Sequence, residues 1–317
     1  MHAAQREHIA TVMHVAERGL EAPRALAHDE FIRASWQRCV HQHHLDPTRM
    51  QEAVILPSHE VRQHRERLDD FLRIARHGLE ALYQQVAGLG YCVLLTDARG
   101  VTVDFIGDLQ LDASLRKAGL YLGSDWSEHH AGTCGVGTAI ATGSALTVHQ
   151  EDHFDATHIP LSCTAAPVYD PLGRLNAILD ISALTSPQAK SSQHLALQLV
   201  KVVASRVENA HFLRCFRNDW IVKAHRTPEF VEISPDHLIA LDAAGRIIGH
   251  NRAAQQMLEE QARTNVLGLP FNRFFSVRFD ELGRFVRSVT GERRAVTLAG
   301  SGRVLFLHAV PPPLRVS

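Results

Sequence analysis

From Leu68 onward the apolar positions Leu68, Phe71, Leu72, Ala75, Leu79, Leu82, Tyr83 and Val86 recur every three or four residues. That spacing predicts an amphipathic helix, ended by Gly88 and Gly90. The period then changes. Tyr91–Leu95 is a short apolar run, Asp97-Ala98-Arg99-Gly100 reads as a tight turn, and Val101–Phe105 is a second extended run. Two strands around a hairpin are expected. The same turn recurs at Asp170-Pro171-Leu172-Gly173, between Ala165–Tyr169 and Leu175–Ile181. It recurs again at Asp242-Ala243-Ala244-Gly245, between Leu238–Leu241 and Ile247-Ile248. Asp first and Gly fourth suits a type I turn followed by a positive φ. This is local turn chemistry rather than a sequence repeat, and it places antiparallel sheets in both halves of the chain.

Between the sheets a long helix is expected over about residues 188–216, with Leu195, Leu199, Val202, Val203, Val207, Ala210 and Leu213 as a narrow apolar stripe. Its first half closes the first domain; its second half is a candidate dimer-forming coiled coil. Residues 1–60 read as mostly polar helix broken at Pro23, Pro47 and Pro57, and Ala145–Val148 as a strand entering a loop. Asn251 stands before Arg252-Ala253-Ala254-Gln255-Gln256-Met257-Leu258, a good helix former with a favoured cap. Pro228 and Pro235 bracket an expected linker.

A length of 317 residues exceeds what one core usually organises, so two domains are expected. With 33 Lys and Arg against 34 Asp and Glu the formal charge is −1, which argues against a broad nucleic-acid or membrane surface. No apolar run is long enough to cross a membrane and Met1–Arg6 has no apolar signal core, so a cytoplasmic location is expected. Five scattered cysteines (Cys39, Cys92, Cys134, Cys163, Cys215) suit a reducing compartment. The outlying number is 21 histidines, clustered at 41/43/44, 129/130 and 149/153/158.

The densest segment runs from Asp125 to Ile140. Its glycines do not make a dinucleotide fingerprint, since Ile140 stands where the third Gly belongs, and no Gly-Lys-Ser/Thr follows to make a phosphate loop. Gly132 and Gly135 instead suit close backbone approach, with Thr133 capping a short helix to about Ala141. The segment is either a packed loop-to-helix corner or one whose side chains also line a small-molecule pocket. His149, His153 and His158 with Cys163 form the best candidate metal set, for zinc or iron. They need a shared helix that a strand at 145–148 denies them, so neither metal nor haem is expected. Cys134 and Cys163 lie near histidines and are candidate nucleophiles or redox thiols, but no ordering third group is recognisable. No catalytic residue and no cofactor are therefore expected.

Taken in order, Arg33-Ala34-Ser35-Trp36-Gln37-Arg38-Cys39, Gly90–Asp97, Trp126-Ser127-Glu128, Gly132-Thr133-Cys134-Gly135-Val136-Gly137-Thr138, His153-Phe154 and Cys163–Gly173 carry a resemblance. The chain resembles the sensory region of acetoin-catabolism-regulator-type, sigma-54-dependent transcriptional activators of bacteria. The resemblance implies an α+β fold of two antiparallel-sheet sensor domains, GAF then PAS, joined by a long helix. The implied divisions are an N-terminal helical segment at 1–64, GAF with its signalling helix at 65–215, a linker at 216–228, PAS at 229–310 and a closing linker at 311–317. It implies a non-enzymatic module whose GAF pocket takes a small alcohol, diol or hydroxyketone. The candidate pocket residues are Trp126, His130, Thr133, Cys134, Val136, His149, His153 and Cys163. A homo-oligomer is implied as well, a dimer in this region and of higher order in a full-length regulator. The AAA+ ATPase, sigma-54 RNA polymerase and DNA would be engaged only through domains outside this chain. The family pattern has Asn at the position of Cys134.

Overall fold

The computed structural model describes residues 3–18, 28–49, 53–186, 188–286 and 295–313. Chain contacts divide it into two units: Met1–Val168 with Leu175–Arg206, and Tyr169–Arg174 with Val207–Ser317.

The first unit opens with α1 (Ala3–Arg18) and α2 (Glu30–His41), whose Val12, Val15, Ile32 and Trp36 bury together. Helix α3 (Ser58–Glu66) precedes α4 (Asp69–Val86), which buries Phe71, Leu72, Ala75, Leu79, Leu82 and Val86, the face its periodicity predicts. Strands β1 (Tyr91–Asp97) and β2 (Thr102–Ile106) pair antiparallel around the first Asp-to-Gly turn. In that turn Gly100 has φ +96° and Asp97 Oδ1 accepts from the amides of Arg99 and Val101. Short helices α5 (Asp112–Lys117), α6 (Glu128–Ala131) and α7 (Gly135–Thr142) follow, then β3 (Leu146–His149), β4 (Ser162–Tyr169) and β5 (Leu175–Ala183). The sheet order is β2-β1-β5-β4-β3, with β1 antiparallel to β5 and β3 antiparallel to β4.

Helix α8 (His194–Cys215) buries Val200, Val203, Ala204 and Val207, while Leu195 and Val202 are exposed. The second unit's sheet contains β6 (Trp220–His225), β7 (His237–Leu241) and β8 (Ile247–His250). Helix α9 (Arg252–Ala262) follows, and β9 (Ala295–Thr297) and β10 (Val304–Val310) complete the sheet in the order β8-β7-β6-β10-β9. The expected linker at 216–228 is thereby corrected. It contains β6, the middle strand, antiparallel to β7 on one side and β10 on the other. At residues 311–317 the described part ends at 313.

Candidate functional site

The face of the first sheet beneath α7 is largely apolar, and several of its residues are small. Cys92, Leu94, Trp126, Cys134, Val136, Cys163 and Ala165 share one buried cluster. Gly135 and Gly137 let the helix approach closely. A Cβ at 135 would meet the Cys163 Cβ at 2.8 Å, and one at 137 would meet the Trp126 carbonyl at 2.8 Å.

The cap of α7 is Cys134, a correction to the expectation of Thr133. Cys134 Sγ accepts from the Gly137 amide at 3.3 Å and donates to the Trp126 carbonyl at 3.1 Å. Thr133 is drawn the other way, its Oγ1 hydrogen-bonded to Ser35 Oγ at 2.7 Å on α2. Ser35 also donates to Glu128 Oε1 at 2.6 Å.

Of the eight candidate residues, the structure brings Trp126, Cys134, Val136 and Cys163 into that one cluster. His153 is fully buried and joins it through His158: the two imidazole rings are 6.0 Å apart, and His158 lies 5.5 Å from the Trp126 ring. His130 stands on the rim, its side chain 41% exposed and its Nδ1 2.8 Å from Asp125 Oδ2. His149 is committed at both ring nitrogens. Nε2 donates to the Gln188 carbonyl and Nδ1 accepts from Ser162 Oγ, each at 3.0 Å.

Three buried polar atoms in this region have no hydrogen-bond partner among the described residues: Trp126 Nε1, His153 Nε2 and His158 Nδ1. Burial, reinforced by His158, pushes His153 down to about 3, so its ring is neutral at physiological pH. His153 Nδ1 donates to the Gln150 carbonyl at 2.9 Å, and that places the one proton on Nδ1 and leaves Nε2 a bare acceptor. Trp126 Nε1 is a donor only. A narrow cleft lined by Val54, Trp126, His130, Ala131 and His158 reaches this region, with about 10 Å³ of space, enough for one water-sized group.

Sequence reasoning missed Asp180, which is 1% exposed on β5 among the cluster's residues. A lone carboxylate inside the apolar strand Ala177–Ser182 was the signal. Burial raises the thiols of Cys92, Cys134 and Cys163, against weaker hydrogen-bond effects. Among the described residues no three of His, Cys, Asp and Glu gather in a metal-holding geometry.

A family model described as the N-terminal domain of MimR matches residues 11–209. The acetoin catabolism regulatory protein of Cupriavidus necator is 59% identical over 323 aligned positions, covering 99% of this chain and 48% of that protein. The propane 2-monooxygenase operon transcriptional activator MimR of Mycolicibacterium goodii is 27% identical, covering 68% of this chain and 38% of its own length. The chain thus spans about half the length, or less, of these curated relatives. Among solved structures, the complex titled E. coli DhaR(N)-DhaL aligns at TM-score 0.53 over 90% of this chain and all of that one, at 16% identity. That likeness concerns the fold alone. Among the described residues no helix is long and apolar enough to cross a membrane.

Proposed function

Because the chain belongs to the family of MimR N-terminal domains, we propose that it is the ligand-sensing regulatory region of a transcriptional activator. In this reading a GAF-type sensor spans about 65–215, most of it in the first unit, which also takes in the helical segment of 1–64. The second unit holds a PAS-type domain that takes in β6 as well as 229–310. Its full activator would be of the sigma-54-dependent class, passing the signal to an AAA+ ATPase and a DNA-binding domain. The name of the Cupriavidus relative supports a regulatory role, and its greater length leaves room for such further domains.

The observation that carries the reading is that two atoms of opposite hydrogen-bonding character, the Trp126 Nε1 donor and the His153 Nε2 acceptor, lie either side of the His158 ring without a partner among the described residues. A buried polar group without a partner costs about 1–3 kcal/mol, which a bound ligand would recover. A hydroxyketone such as acetoin offers both complements, a carbonyl to accept and a hydroxyl to donate. Trp126, Cys134, Val136 and Cys163 supply the wall and His153 the polar contact, with His130 at the entrance. Thr133 and His149 hold the walls in place through Ser35 and Ser162.

A four-carbon ligand is larger than the cleft at Trp126, so binding requires the α6 rim to open. That requirement gives two states of different affinity, the condition for a ligand to shift an equilibrium. The exposed Leu195 and Val202 of α8 suit self-association as the read-out, a dimer whose formation sedimentation would detect. A thiol enzyme finds less support, because Cys134 and Cys163 are buried with their thiols raised.

Calorimetric titration of the chain with acetoin and 2,3-butanediol tests the proposal. Heat of binding is expected, with affinity reduced up to about tenfold in Trp126→Phe, which keeps the aromatic wall and deletes the N–H. No heat from either probe would overturn it.

A further inference from the structure

Asp180 lies in the middle of β5, cross-strand from Leu94, and is 1% exposed. Its Oδ2 accepts from Ser182 Oγ at 2.6 Å. Its Oδ1 has no hydrogen-bond partner among the described residues. Oδ1 reaches over the first turn of α7, where a Cβ on Gly135 would come within 3.0 Å of it. The neighbours that feel its charge are the thiols of Cys92, Cys134 and Cys163, and among the described residues no cation balances it. Burial, only partly offset by Ser182, raises the carboxyl to about 7.

A strand position facing an apolar cluster is normally filled by Val, Ile or Leu. A carboxyl there carries a desolvation cost that the fold does not require. Small side chains surround it: Cys92, Cys134, Gly135, Cys163 and Ser182. Cys134 joins this acid to the Trp126 region, since its Sγ donates to the Trp126 carbonyl and it caps the helix that Asp180 faces.

We propose that Asp180 is the inner specificity residue of the effector site, pairing its Oδ1 with a hydroxyl of a small neutral ligand and rejecting ligands that carry a carboxylate. The inference rests on the sensory reading above. An unbalanced buried acid accommodates an alcohol in either protonation state: the carboxylate accepts from the hydroxyl, and the neutral acid donates to it. An anionic ligand meets either a second negative charge, when the acid is ionised, or an apolar volume without a balancing cation, when it is neutral, and both are disfavoured. Hydroxyketones and diols are therefore separated from hydroxy acids of the same size.

The test is calorimetric titration of the wild-type chain, Asp180→Leu and Asp180→Asn with acetoin, 2,3-butanediol and lactate. Wild type is expected to bind the neutral probes at least about tenfold more tightly than lactate. Asp180→Leu, which removes the polar group and fills the apolar position, is expected to lose at least about tenfold in affinity for acetoin. Its thermal unfolding, at or above that of wild type, shows that the fold is intact. Asp180→Asn stays isosteric if the leucine variant misfolds, and it is expected to narrow the preference for acetoin over lactate by about tenfold or more. A folded Asp180→Leu that binds acetoin like wild type overturns the assignment, as does an unchanged preference in Asp180→Asn. Both outcomes leave the sensory reading standing. A wild-type chain that binds neither neutral probe overturns the two together.

Discussion

Arg38 and Glu128, ninety residues apart, meet in a two-point contact: Nε donates to Oε2 at 2.8 Å and Nη2 to Oε1 at 2.7 Å. Glu128 is nearly enclosed and takes a third bond from Ser35, so α2 is fastened to α6 beside the cleft. Glu128→Ala would leave a guanidinium and a buried hydroxyl without their acceptor. A loss of about 3 kcal/mol in chemical unfolding is expected, the low end for a buried pair because Arg38 is partly exposed. A double-mutant cycle with Arg38→Ala should show coupling above about 1 kcal/mol, and additive losses would refute the fastening role.

Asp180 and His153 should give the first unit opposite responses to pH. In the fold Asp180 titrates at about 7 against 3.8 when unfolded. Across that window the native state holds a proton that the unfolded chain has released, so its contribution falls as pH rises. His153 titrates at about 3 in the fold against 6.5 unfolded. Below 6.5 the unfolded chain binds a proton that the native state refuses, so this contribution falls as pH drops. Asp180→Asn should therefore gain stability over wild type progressively from about pH 4 to 7, at up to about 1.4 kcal/mol per unit, and hold that gain above. Urea midpoints at pH 5, 6, 7 and 8 check the slope, and parallel curves would contradict it.

Cys39, Cys92, Cys134 and Cys163 are buried, whereas Cys215 is exposed. Burial pushes Cys39 up to about 12 and raises the other three as well. A thiolate is the reactive form, so one thiol per native chain should react with an aromatic disulfide reagent, and five after denaturation. Fast native reaction at Cys134 or Cys163 would revive the thiol enzyme or redox sensor.

Helix α4 and the three Asp-to-Gly hairpins were legible in the sequence because each is written within about twenty residues. Periodicity names the buried face, and one Gly with positive φ names the turn. Strand β6 was not. Trp220–His225 mixes Lys223 and His225 with its apolar residues, and one of its two partners, β10, lies more than seventy residues downstream. Thr133 lost the cap to Cys134 for a similar reason: the hydroxyl that binds it belongs to Ser35, 98 residues earlier. Of the candidate pocket, Trp126, Cys134, Val136 and Cys163 converge because their loop-to-helix corner packs on β4. Thr133 and His149 face other partners that only the tertiary structure supplies.

Asn251 was read as a helix cap, and in the structure it does more. Its Oδ1 accepts from the Ala254 amide at 3.0 Å and the Leu238 amide at 3.1 Å. Its Nδ2 donates to Asn209 Oδ1 at 2.8 Å and to the Asp236 carbonyl at 2.9 Å. Asn251→Ala should cost about 2–3 kcal/mol in the second unit, more than a cap alone, because the Leu238 amide is left buried. Asn251→Asp keeps both acceptor bonds and should cost less. Thermal unfolding followed by hydrogen exchange at α9 separates the two, and equal losses would mean that the amide donors dominate.

Cys134 occupies the cap position with a weak sulfur acceptor, where the resembling family has Asn. The thiol both accepts from Gly137 and donates to the Trp126 carbonyl. An asparagine amide can do both with stronger groups, its oxygen taking the Gly137 amide and its nitrogen the Trp126 carbonyl. Cys134→Asn is accordingly expected to keep the fold and raise stability by about 0.5–1 kcal/mol, while Cys134→Ala loses both contacts and costs about 1–2 kcal/mol. The asparagine is larger than the thiol, and the position is 1% exposed against Val136 and Cys163. If packing outweighs capping, Cys134→Asn will fall below wild type in thermal unfolding. That result would show the thiol to be selected for its volume within the buried cluster rather than for its hydrogen bonds.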